Sequence, residues 1–110
     1  MIPALTAAQQ DELKMLCRRY DVTRLEVFGS ATRPDFDENQ SDIDLIVHFR
    51  NEQAKGLFNR YWALTEELEK VFGRSVELLT ERMTRNPYFR AAVDAERQTL
   101  YAGEPEEALR

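Results

Sequence analysis

The stretch Arg24-Leu25-Glu26-Val27-Phe28-Gly29-Ser30, followed after eleven residues by Asp42-Ile43-Asp44-Leu45-Ile46-Val47-His48-Phe49, decides how this chain folds. The first part is a short, largely apolar run from Arg24 to Phe28 that ends in a glycine, the pattern of a strand delivering the chain into a turn. In the second part Ile43, Leu45, Val47 and Phe49 alternate with Asp42, Asp44, Ile46 and His48, which predicts a strand with one apolar and one mixed face. Asp42 and Asp44 therefore point the same way.

Working outward, Thr6-Ala7-Ala8-Gln9 fits a capping box, and Leu13, Leu16, Cys17 and Tyr20 recur at helical spacing, so a helix is expected from about Thr6 to Tyr20. Asp21-Val22-Thr23 breaks that pattern before the first strand. Between Ala31 and Ser41 the chain is polar, and we expect a loop after at most one helical turn beginning at Ser30. From Glu52 to Phe72, Leu57, Phe58, Tyr61, Leu64, Leu68, Val71 and Phe72 give the longest helical pattern, which Gly73 ends. Ser75 to Leu79 reads as a third strand, with Val76 and Leu78 on one face and Glu77 on the other. Asn86-Pro87 looks like a helix cap and first position, with Phe89, Ala92 and Val93 facing inward. Thr99-Leu100-Tyr101 offers a last strand, and the tail from Gly103 is expected to fray. The order helix, strand, strand, helix, strand, helix, strand predicts an α/β fold, a small mixed sheet packed against helices.

A chain of 110 residues, 43% of them hydrophobic, supports one core, and we expect a single domain over residues 1–110. No run of 18 or more apolar residues occurs, and the N-terminus has neither a basic region nor a long apolar stretch, so the expectation is a cytoplasmic protein with no membrane partner. A net charge of −5 argues against stable nucleic-acid binding. Cys17, the single cysteine, falls on the apolar face of the first helix and reads as a core thiol.

The chemistry lies in the opening stretch. A glycine at a strand end lets backbone amides approach an anion, and the Ser30 hydroxyl beside it can donate to a phosphate oxygen. Carboxylates at i and i+2 on a strand are roughly 7 Å apart at the backbone, yet their side chains can converge on hard cations. Two metals can activate an attacking oxygen and stabilise a leaving pyrophosphate, usually with a third carboxylate from a neighbouring element, for which Glu77 is the natural candidate. Plainer readings exist for other residues. Arg33 could contact nucleotide or pair with Asp35 or Asp37. Asp35, Asp37 and Asn39 mimic the start of a calcium loop, but Gln40 replaces its glycine and Ile46 its glutamate. His48 reads as a structural histidine.

Gly29-Ser30, Arg33, Ser41-Asp42-Ile43-Asp44-Leu45 and Val76-Glu77-Leu78-Leu79 together resemble the minimal nucleotidyltransferases of the DNA polymerase beta superfamily, and Asn86-Pro87-Tyr88-Phe89 resembles their C-terminal segment. The resemblance implies transfer of AMP from ATP to a hydroxyl, with Gly29, Ser30 and Arg33 at the nucleotide and Asp42, Asp44 and Glu77 as catalytic residues holding magnesium, two ions being expected. Small relatives resemble antitoxins that adenylylate a tyrosine of a HEPN-type ribonuclease toxin, which is the implied partner. The chain departs from the pattern in its eleven-residue spacer where ten is usual, in Pro34 after Arg33, and in Glu77 for aspartate. Those departures support an alternative, a non-catalytic antitoxin that neutralises its partner by complex formation.

Overall fold

The computed structural model describes residues 5–29, 42–50 and 56–103. Their elements run α1 (Ala7–Arg19), β1 (Val22–Phe28), β2 (Ile43–Phe49), α2 (Leu57–Phe72), β3 (Val76–Thr80), a 3-10 turn (Glu81–Thr84), α3 (Pro87–Glu96) and β4 (Gln98–Ala102). The expected α/β order is present, with the 3-10 turn as an addition. Ser30, Arg33, the spacer loop, the expected helix start at Glu52 and the tail beyond Gly103 lie outside the described residues.

Local sequence accounts for the element ends. Thr6 and Gln9 exchange bonds across the first turn of α1, Gln9 N to Thr6 Oγ1 at 3.1 Å and Thr6 N to Gln9 Oε1 at 2.9 Å, satisfying two amides that a helix start leaves bare. Asn86 Oδ1 does the same for α3, accepting from Tyr88 N and Phe89 N, with Pro87 as first residue. Gly73, at φ 69°, ends α2 in the left-handed conformation that its missing Cβ permits. β1 begins two residues before the expected Arg24, because Asp21, at φ 56°, makes the break alone and Val22 is already buried in the core.

The sheet order is β3-β2-β1-β4. β1 pairs antiparallel with β2 and β4, while β2 and β3 run parallel and need the α2 crossover between them. One face carries Leu25, Val27, Ile43, Leu45, Val47, Val76 and Leu78 into a core shared with Leu13, Leu16 and Cys17 of α1 and Leu64, Leu68 and Val71 of α2. Two polar ties fix this layer: Gln9 Nε2 donates to the Val71 carbonyl at 2.9 Å, and the Tyr61 hydroxyl donates to the Leu78 carbonyl. The other face is thinner. There Phe28, Ile46 and Val93 cluster with Leu79 beneath α3.

Two residues expected to face inward do not, and a third, Phe89, meets Phe28 of the sheet but leaves part of its ring uncovered. Phe58 is 76% exposed although it falls in the α2 pattern, because the helix buries the stripe Leu57, Tyr61, Leu64, Leu68 and Val71 and Phe58 sits about 100° off it. Ala92 is exposed for the same reason beside buried Val93.

Candidate active site

The face under α3 carries the predicted carboxylates. Strand register pairs Asp44 on one side with Phe28 of β1 and on the other with Glu77 of β3. Directly opposed residues share a face, so Asp44 and Glu77 project together, and Asp42, just ahead of β2, follows by alternation. Asp42 and Glu77 are exposed and Asp44 is half-buried. Burial agrees with the expected alternation: Val76 and Leu78 are covered and Glu77 between them is not.

Gly29 follows Phe28 directly, is buried, and has φ 74°. A Cβ built on it would stand 2.5 Å from Oδ2 of Asp44. Glycine is thus required on two independent counts, a left-handed backbone and the close approach of Asp44. The turn that would receive an anion and the carboxylate that would hold a cation are packed against each other. Three carboxylate donors on one rigid sheet face, and no sulfur or imidazole among them, fit a hard, oxygen-preferring cation such as magnesium.

A second charged group on the same face had no counterpart in the sequence reading. Glu26, on β1 opposite Ile46, is 3% exposed. It accepts from Arg97 Nε at 2.9 Å and Nη2 at 2.5 Å and lies 2.8 Å from His48 Nε2. Burial acts to raise the Glu26 pKa, but the Arg97 and His48 hydrogen bonds and the charges of Arg97 and Arg24 outweigh it and hold the carboxyl below its ordinary range. Glu81 behaves likewise: burial opposes, and Arg97 with Arg90 prevails. Glu26, His48 and Glu81 bring ligand atoms within 4.8 Å of one another, a spacing a metal could use. Arg97 Nη2 already lies 2.5 Å from both Glu26 and Glu81, so the cation in this group is a guanidinium. His48 is therefore the structural histidine expected. Glu26 could have been noticed as a charge in an otherwise buried strand; its partner, 71 residues away, could not.

The profile of the nucleotidyltransferase domain family matches residues 12–100, which include the whole sheet except the last residues of β4. The chain belongs to that family. Among nucleotidyltransferase relatives, it is 37% identical over 81 residues to the "Putative protein adenylyltransferase MJ1379" of Methanocaldococcus jannaschii, covering 74% of this chain and 79% of that protein. A solved "putative minimal nucleotidyltransferase" superposes with a TM-score of 0.64 at 31% identity, over 83% of this chain and 88% of that one. A toxin-antitoxin crystal structure with AMP-PNP shares the fold, with a TM-score of 0.63 at 20% identity over 91% of this chain and 78% of that one. The nucleotidyltransferase sheet thus carries the carboxylate face described above, and no helix among the described residues is long and apolar enough to cross a membrane.

Proposed function

We propose that this nucleotidyltransferase moves AMP from ATP to a hydroxyl of a partner protein in a magnesium-dependent reaction and serves as antitoxin to a HEPN-type ribonuclease. The observation that carries the reading is the Asp44–Glu77 pair with Gly29 held against Asp44. Asp42, Asp44 and Glu77 would hold the metal, which supplies charge neutralisation for the triphosphate and for the departing pyrophosphate. Gly29 would let backbone donors approach the phosphates, and Ser30, next in sequence, is the candidate hydroxyl donor. Glu77 would accept the proton of an incoming hydroxyl, a role its exposure on β3 supports.

Two relatives support the acceptor class. A protein adenylyltransferase name belongs to the Methanocaldococcus jannaschii relative. A further structure of the same fold is an MNT antitoxin in complex with a tri-AMPylated Shewanella oneidensis HEPN toxin, at a TM-score of 0.57 and 17% identity, over 93% of this chain and 76% of that one. ATP labelled at the α-phosphate should transfer its label to a HEPN-type protein, if one is encoded beside this chain, when magnesium is present. In an Asp42→Ala, Asp44→Ala double variant the rate should fall by more than the about 100-fold that a 1 Å misplacement costs. Full transfer by that variant overturns the mechanism.

A further inference from the structure

α3 lies on the carboxylate face, and its flanks meet different neighbours. Phe89 and Val93 point at the sheet, Phe89 edge-on to Phe28 with ring centroids 5.9 Å apart. Arg90, Asp94 and Arg97 form the next flank, where Arg90 pairs with Glu81 at 2.6 Å and Arg97 with Glu26 and Glu81. Those partners mark one end of the face, the end of His48. At about 100° per residue, Tyr88, Ala92 and Ala95 fall on the flank opposite Arg90, Asp94 and Arg97. That flank lies away from the Arg97 clamp, and the end of the face away from the clamp is where β2 and β3 carry Asp42, Asp44 and Glu77. Phe28, beneath Phe89, is the register partner of Asp44.

Tyr88 is the one bulky residue of this flank and is 88% exposed. The other tyrosines differ. The Tyr61 hydroxyl donates to the Leu78 carbonyl, and Tyr20 and Tyr101 are packed against the core. Tyr88 alone of the four is almost fully exposed, and it stands on a capped first turn of helix next to Phe89, whose ring meets Phe28, the register partner of Asp44.

We propose that Tyr88 is itself an acceptor, a self-adenylylation site of this chain. The inference rests on the AMP-transfer reading above. In the step, Tyr88 Oη forms a bond to the α-phosphorus of ATP while the bond from that phosphorus to the oxygen bridging to the β-phosphate breaks. Pyrophosphate leaves with the bond's electron pair, and the phenolic proton passes to Glu77. The product is a tyrosyl-AMP phosphodiester on the first turn of α3.

Two measurements test the proposal on the whole chain. With magnesium and ATP labelled at the α-phosphate, label should appear on Tyr88 by peptide mass spectrometry and fall to background in Tyr88→Phe and in the Asp42→Ala, Asp44→Ala double variant. Without turnover, nitration of Tyr88 by tetranitromethane in the wild-type chain should slow when α,β-methylene ATP and magnesium are added. Label on the partner protein with none on Tyr88, or undiminished label in Tyr88→Phe, overturns this inference and leaves the transfer reading standing. Nitration unaffected by the analogue overturns the placement of Tyr88. Label on neither protein overturns both readings.

Discussion

Gly29 is the residue on which the two halves of the candidate site depend. Replacing it with alanine puts a Cβ against Asp44 Oδ2 and forces an L side chain to φ 74°, a conformation that costs roughly 1–2 kcal/mol by itself. Gly29→Ala should therefore lower stability by at least about 1 kcal/mol in urea unfolding and also weaken manganese binding, used as a paramagnetic stand-in for magnesium. Loss of stability without loss of metal affinity would separate Gly29 from the site. Cys17 makes the opposite case. Burial pushes its thiol up to about 12, so the native protein should resist iodoacetamide at pH 8 and react only when unfolded. The glycine's need for a turn and the cysteine's place in the core were legible in the sequence, one from its strand-end position, the other from helical spacing. The approach of Asp44 to Gly29 was not, because it is made across two strands.

At the scale of elements, α3 is held to the sheet by few apolar contacts and one ionic clamp. Glu26 is buried, so removing Arg97 would leave its charge short of its main partner, a change that costs about 3–5 kcal/mol at buried pairs. Arg97→Met should lower stability by about that amount, and hydrogen exchange should quicken in α3 and β4 before β2. The clamp also sets an acid limit. Glu26 and Glu81 have pKa values lowered on folding from an ordinary 4.5, so their contribution is complete above that value and is lost as pH falls through the lower folded ones. Wild-type stability should therefore drop steeply below about pH 4.5, and Arg97→Met should show a shallower drop over the same window in denaturant titrations. No pattern in the sequence announced this clamp. Periodicity reports which side of a strand is apolar, whereas Arg97, after α3, meets Glu26 only because β4 returns beside β1.

For the whole molecule, β2 is the strand that unites core and site. Its Leu45 is fully buried between α1, α2 and the neighbouring strands, and it sits next to Asp44. Leu45→Ala should cost about 2–5 kcal/mol and should unfold the core and the carboxylate face in a single transition, read as coincident loss of far-ultraviolet circular dichroism and of manganese binding. Two separate transitions would show that the site is held by the α3 clamp rather than by the core. The exposed Phe58 and Trp62 on α2 contribute little to that cooperativity, since the helix is anchored by the Leu57–Val71 stripe on its other side. The helical spacing of aromatic residues alone could not separate Phe58 from Tyr61, which differ in burial through a rotation of less than one turn.

The sequence by itself determined the element order, the caps of α1 and α3, the glycine stop of α2, and the side of β2 on which Asp42 and Asp44 stand. These follow from local rules, the 3.6-residue helical period, the two-residue strand period and the satisfaction of end groups by the nearest side chain. Tertiary structure alone decided that Glu77 stands opposite Asp44, that Gly29 lies against the same carboxylate, that Glu26 is buried and neutralised by Arg97, and that Tyr88 is turned outward on the carboxylate face. Each of these depends on strand register or helix placement between segments far apart in the chain, and such contacts are set by the packing of the whole core.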